Sequence, residues 1–125
     1  CPSSPMWSLL FLASFSYADE IVITTTRGQI RGFNADLGND TTQLWFGVGS
    51  VFIGIPYALP PLGDRRFKLP VGIQNYDGEV NATYYRPRCP QSQDDLFPAN
   101  STDEDCLYMN IVTPDVAGSA PVMVY

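Results

Sequence analysis

The sequence has 125 residues, enough for one small domain, with a formal net charge of −6 and 11 prolines. This acidic balance argues against nucleic-acid binding, because the phosphates would be repelled. No segment reaches the roughly 20 apolar residues that a membrane-spanning helix needs. No window shows a helical apolar stripe, so the sequence favours strands and ordered loops.

Residues 1–18 have the character of a secretory leader. An uncharged apolar run, Met6–Ala13, precedes Ser16-Tyr17-Ala18, which fits a small-x-small cleavage site. The run lacks a basic region before it, so a buried strand or a short helix is the alternative. We expect a signal peptide over 1–18 and a chain over 19–125 that is secreted or resides in the ER lumen.

The first part of the mature chain predicts a hairpin and a long strand. β-Branched residues flank Arg27-Gly28, and the segment 21–33 therefore predicts a β-hairpin. The apolar stretch 44–55 contains three glycines and predicts one strand with a bend or bulge, ending at Pro56.

The second part predicts irregular structure followed by two strands. Residues 56–106 are expected to be mostly irregular. Alternating apolar residues predict a strand over 107–113, ended by Pro114. A turn is expected over 115–120, and 121–125 reads as the start of a buried strand.

Cysteines and sequons support export. Removal of the leader would take away Cys1 and leave Cys89 and Cys106, an even number that favours a disulfide over two buried thiols. Such a bond would contribute about 3 kcal/mol by the chain-entropy model. Three N-x-S/T sequons are N-glycosylation candidates, and the two in polar loops are the better ones. They are Asn39 and Asn100 in the loops, and Asn81.

Two motifs, which occur in the same order as in the family, resemble segments of the type-B carboxylesterase and cholinesterase family. The run Glu104–Pro114 is similar to the family's cysteine motif. Upstream, a second set is similar to the segment after the family's first strands: Phe52–Ala58, Pro60-Pro61, Gly63, Arg66-Phe67 and Pro70. The resemblance covers roughly residues 20–125. It implies an α/β hydrolase fold, of which this chain would be the N-terminal portion: antiparallel lead-in strands, the disulfide loop and the first part of the main sheet.

The resemblance implies hydrolysis of small carboxylic esters through a serine acyl-enzyme, with a histidine base and an acidic residue. The sequence contains no histidine, and we find no G-x-S-x-G elbow. We therefore expect the chain to be truncated before the oxyanion loop and to hold no catalytic residue, cofactor or metal site. Five carboxylates within 94–105 could suggest calcium, but they lack EF-hand spacing, and a solvated loop is favoured.

The resemblance also implies a structural ion pair between Arg66 and Glu104, whereas Arg65 has no such counterpart. If the pair is buried, its loss would cost about 3–5 kcal/mol. The alternative is that both side chains are solvated.

Three functions stay open at this point. Cholinesterases carry, in the corresponding disulfide loop, a tryptophan that stacks on the choline ammonium. The loop Pro90–Asp105 has none, and its aromatic residue is Phe97, which favours a general carboxylesterase. The second reading is a non-catalytic adhesion ectodomain of the neuroligin type, which binds a protein partner. The third is a free-standing β module stapled by the disulfide.

Overall fold

The computed structural model describes residues 19–36, 38, 47–91 and 102–124. Within these ranges the chain forms five strands and one short 3-10 helix. They are β1 (Glu20–Thr25), β2 (Gly28–Asp36), β3 (Val48–Pro56), the 3-10 helix Gly63–Arg65, β4 (Val80–Asn81) and β5 (Tyr108–Thr113). The expected leader over 1–18 lies outside the described residues.

The strands form a single sheet. Its order is β1-β2-β3-β5, and β4 pairs with β2 beside this path. The pairs along the path are antiparallel, whereas β4 is parallel to β2. This arrangement agrees with the antiparallel lead-in strands expected of the N-terminal portion of an α/β hydrolase.

The predicted hairpin is confirmed as β1 and β2. Their register runs from Glu20 opposite Phe33 to Thr25 opposite Gly28. Gly28 has φ of 134°, a conformation that residues with side chains rarely adopt. The Thr25 hydroxyl donates to the Gly28 carbonyl at 2.8 Å. The turn is therefore fixed by residues next to one another in sequence.

The predicted long strand appears as β3, with the expected irregularity and the expected end at Pro56. Its pairing with β5 shifts register between Phe52 and Ile55, and Gly54 inside this shift has φ of 79°. Of the predicted start of this strand, residues 44–46 lie outside the described ranges, and the prediction is wrong for Gly47, which is a bend before the strand. The bulge predicted from the glycines is thus present, and Gly54 supplies its left-handed backbone.

The hydrophobic core lies between β2, β3 and the residue after β4. Its buried side chains are Ile30, Phe52, Ile55 and Ala82. Phe52 is 2% exposed and lies against Gly32, where an added Cβ would come within 2.4 Å of the Phe52 ring. The bare backbone at Gly32 is therefore what admits the phenyl ring. Partly buried residues around this core are Ile21, Ile23, Tyr76 and Val80.

The C-terminal strands have different outcomes. The strand predicted over 107–113 is confirmed as β5, and the turn after it is closed by the Ala117 N–H on the Asp115 carboxylate at 2.8 Å. The strand predicted over 121–125 is wrong for residues 121–124, which form no strand and are exposed. An apolar run needs a neighbour for its backbone N–H and C=O groups before it becomes a strand, and within the described ranges it has none. β4 is not predicted, because a strand of two residues is too short to show the alternation of apolar and polar residues that identifies a strand.

Candidate functional site

Four predicted residues meet at one cluster beside the start of β5. Cys89 and Cys106 are joined by a disulfide, with their Cα atoms 4.9 Å apart and a sequence separation of 17. Next to the disulfide, Arg88 and Thr102 form a parallel bridge, and the Asp103 N–H donates to the Arg88 carbonyl at 2.8 Å. The loop is therefore closed by backbone pairing as well as by a covalent bond.

The ion pair of the cluster joins Arg66 to Glu104. Arg66 caps the C-terminal end of the 3-10 helix, and its N–H donates to the Gly63 carbonyl at 3.1 Å. Its Nη2 donates to Oε1 of Glu104, and its guanidinium carbon lies 5.0 Å from the centre of the Phe67 ring. The two side chains are 48% and 41% exposed. The cost for a buried pair does not apply here, because an exposed pair contributes about 0.2–1 kcal/mol.

Arg65 makes a different contact. Its Nε donates to the Pro60 carbonyl at 2.7 Å, within the same turn of chain. The structure therefore separates two adjacent arginines: Arg66 reaches the disulfide loop, and Arg65 stays on its own turn. Arg65 is a matched control for the charge of Arg66.

A second cluster, which the sequence analysis misses, is built on the bulge in β3. The Gly54 N–H donates to Oδ1 of Asn110 in β5 at 2.8 Å, so a side chain satisfies a donor at the break in the ladder. A Cβ at position 54 would lie 2.6 Å from Cγ of Arg86 and 2.8 Å from the Tyr84 carbonyl oxygen. The glycine therefore lets the stem of Arg86 lie against β3.

The guanidinium of Arg86 is flanked by aromatic rings. Its carbon lies 4.4 Å from the ring centre of Tyr84 and 5.5 Å from that of Tyr108. Burial raises the pKa of Tyr108, and a hydrogen bond to Asp105 acts in the same direction, while the charge of Arg86 lowers it. The phenol of Tyr108 is therefore neutral at physiological pH.

The acidic residues described in the disulfide loop already have protein partners. Oδ1 of Asp103 accepts the backbone N–H of Asp105 at 2.8 Å, and Asp105 is the acceptor for Tyr108. Glu104 belongs to the ion pair above. In the described ranges, no group of three or more histidine, cysteine or acidic side chains is placed to hold a metal ion. Asp94 and Asp95 lie outside these ranges.

No catalytic pair is assembled in the part of the chain that the structure describes. The buried Ser50 donates to Oδ1 of Asn34 at 2.8 Å, so its hydroxyl is used within the sheet. The whole sequence has no histidine to act as a base. Ser50 is therefore a structural residue, joining β2 to β3.

Of the predicted glycosylation sites, Asn81 falls within the described residues. It is exposed at the end of β4, and its Oδ1 accepts the backbone N–H and the hydroxyl of Thr83 at 3.2 and 2.7 Å. Asn39 and Asn100 lie outside the described ranges. Across those ranges, no helix has the length and the apolar character required to cross a bilayer.

Comparison with known proteins adds a family. The model of the carboxylesterase family matches residues 19–125. A cholinesterase of Mus musculus is 34% identical over 122 residues, covering 87% of this chain and 19% of the relative. Neuroligin-2 of Homo sapiens is 34% identical over 115 residues, covering 78% of this chain and 13% of the relative. An acetylcholinesterase of Bungarus fasciatus is 34% identical over 119 residues, with coverages of 86% and 18%. The chain thus spans less than a fifth of the length of these relatives.

Proposed function

Because the chain belongs to the carboxylesterase family, we propose that it is the N-terminal part of a secreted serine carboxylesterase with the α/β-hydrolase fold. The match of the family model over 19–125 is the observation that carries this proposal. The complete protein would hydrolyse carboxylic esters through an acyl-serine, with histidine as base and an acidic residue orienting it.

The residues of this chain would contribute architecture to that enzyme. The sequence has no histidine, so the base would lie in the remainder of the protein, together with the nucleophile. The disulfide and the Arg66–Glu104 pair would tie the loop before β5 to the turn after β3. Their role is to fix the position of β5 beside β3, which pair antiparallel.

The proposed substrate class rests on the amino-acid composition of the disulfide loop. Residues Pro90–Asp105 include no tryptophan, so this loop offers no indole face for a quaternary ammonium. We therefore propose small uncharged carboxylic esters as substrates, in preference to choline esters.

Export would follow from the leader over 1–18. The Cys89–Cys106 bond supports it, because disulfides form and persist in oxidising compartments. Asn81 would be glycosylated there, since it is exposed at the end of β4. Asn39 and Asn100 are proposed on their sequons alone.

A second function is a non-catalytic adhesion ectodomain that binds a protein partner. It is favoured by the match to Neuroligin-2, whose 34% identity equals that of the cholinesterase. In that case the fold would persist without the serine nucleophile.

The test is an esterase assay on the full-length secreted protein. We expect hydrolysis of a p-nitrophenyl acyl ester, abolished by an organophosphate that labels one serine per molecule, and slower turnover of a choline ester of the same acyl group. Folded, glycosylated protein with neither turnover nor labelling would reject the enzyme and favour adhesion.

A further inference from the structure

Arg86 carries a permanent charge that no carboxylate neutralises among the residues the structure describes. Arg31 and Arg66 form ion pairs with carboxylates in those ranges, and Arg86 does not. Within the described part of the chain, the Nε of Arg86 is buried and has no hydrogen-bond partner. A partly buried charge of this kind is normally paired, because its removal from water is costly unless an opposite charge or hydrogen bonds compensate.

The aromatic contacts of Arg86 do not supply that compensation. Stacking on the rings of Tyr84 and Tyr108 uses the flat face of the guanidinium and leaves its in-plane N–H donors for other acceptors. The neutral phenol of Tyr108 adds no negative charge. Because Nε lies against β3 at Gly54, the two Nη atoms at the end of the guanidinium are the donors that an anionic acceptor in its plane would reach.

The space in front of Arg86 can admit such an acceptor on a peptide. It is an open groove of about 720 Å³, also lined by Tyr85, Arg88, Asp103 and Asn110. A free small anion would stay largely hydrated in so open a groove. A carboxylate on a polypeptide is held there by its neighbours, which raises its effective concentration.

We propose that an Asp or Glu side chain from the part of the complete protein outside this sequence lies in the groove and pairs with Arg86. This proposal rests on the proposed function in one respect: the chain spans 19% of the length of the cholinesterase relative, so most of the domain lies outside it. The pair would fasten the bulge in β3 to the remainder of the esterase domain.

The test compares arginine variants in the full-length protein by thermal unfolding. Arg86→Met keeps the aliphatic stem and removes the charge, and Arg86→Lys keeps the charge without the planar fork. Arg65→Met is the matched control, because Arg65 contacts a carbonyl on its own turn. We expect a clear loss in Tm for Arg86→Met, a smaller loss for Arg86→Lys, and a Tm close to that of the unchanged protein for Arg65→Met.

The pH dependence separates a carboxylate from stacking alone. A carboxyl paired with Arg86 has a folded pKa below its unfolded value of about 4, so its contribution is present above that value and is lost as pH falls through the folded pKa. The Tm difference between the unchanged protein and Arg86→Met should therefore shrink in acid. Stacking on tyrosine rings involves no carboxyl group, so it has no such dependence in acid.

Charged and titratable groups that face Arg86 need a control. Tyr84, Tyr85 and Arg88 carry no carboxyl group, whereas Asp103 and Asp105 do. We therefore repeat the comparison in an Asp103→Asn, Asp105→Asn background, where the shrinkage in acid should persist.

Four results would overturn the proposal. The first two are an equal Tm for Arg86→Met and the unchanged protein, and a Tm difference between them that does not change with pH. The other two are a pH dependence of this Tm difference that is abolished in the double-Asn background, and a Tm difference that appears only when acetate is added as a free carboxylate. If Arg86→Met is not secreted, Arg86→Gln, which also removes the charge but keeps a polar end, takes its place in the same comparison. None of these measurements uses an ester. A protein without esterase activity would therefore contradict the proposed function but leave the result of this test unchanged.

Discussion

The centre of the sheet and the margin beside β5 are stabilised by different means. At the centre, Ile30, Phe52 and Ala82 are removed from water and pack against one another. In the margin, which comprises residues 102–106 before the start of β5, no residue is buried. This segment is held by a disulfide and a surface ion pair. Burial stabilises the native state itself, whereas a cross-link acts chiefly by restricting the unfolded chain. The two regions should therefore respond differently to truncation and to reductant.

The largest effect is expected at the centre. Phe52→Ala in the full-length protein should lower the free energy of unfolding by about 3–5 kcal/mol, since the lost phenyl ring leaves a cavity. Val48→Ala, an exposed position in the same strand, should cost far less. Denaturant titration measures both, and the difference should be the same with and without reductant. Comparable losses at the two positions would contradict the assignment of the core.

Removal of the disulfide should be the next largest change. The paired variant Cys89→Ser, Cys106→Ser should lose about 3 kcal/mol, because the unfolded chain regains the entropy of an open loop. Reductant should bring the unchanged protein to the stability of the variant and leave the variant as it was. Peptide mapping without reductant should recover the two cysteines bonded; finding both as free thiols in secreted protein would remove the basis of the comparison.

The bulge links the two regions and should show an intermediate effect. Asn110→Ala leaves the buried Gly54 N–H without its acceptor and should cost about 1–3 kcal/mol. Asn110→Asp keeps an acceptor oxygen and should retain most of that stability. If the two variants unfold alike, the side chain of Asn110 does not cap the bulge.

The smallest effect is expected at the ion pair. Arg66→Ala should lose about 0.2–1 kcal/mol, because both partners are substantially exposed. Arg65→Ala removes the same charge from the preceding residue and should lower the stability by less. The secreted yield and the unfolding midpoint of the two variants are compared. A larger loss for Arg65→Ala would show that Arg65, and not Arg66, has the structural role.

Sequence reasoning reached the parts of the fold whose signals are local. The hairpin over 21–33 follows from β-branched residues around a glycine turn, and the bulge in β3 follows from glycines inside an apolar run. The pairing of Cys89 with Cys106 follows from an even count after removal of the leader, together with the family resemblance. Each of these signals lies within a short stretch or in a simple count.

The parts that escaped prediction depend on tertiary contacts. Gly54, Arg86 and Asn110 come from separate parts of the chain, and no spacing in the sequence reveals that they meet. The exposure of the ion pair is likewise a property of the packed loop. The strand expected over 121–125 shows the converse, since an apolar pattern reports a tendency to be buried but does not supply the neighbour that buries it.

The order of strands in the sheet has a consequence for synthesis of the chain. β1, β2 and β3 pair with neighbours in the order in which a ribosome delivers them, so the first three strands can form by short searches. β5 pairs with β3 across a long intervening segment, and its search is slower for that reason. In a chain exported as proposed above, Cys89 and Cys106 would enter the oxidising compartment close together, and their bond would tie the start of β5 to the segment around Cys89. Limited proteolysis at successive nascent lengths should find the hairpin protected before β5, and thiol trapping on the same samples should find the disulfide formed between these two events.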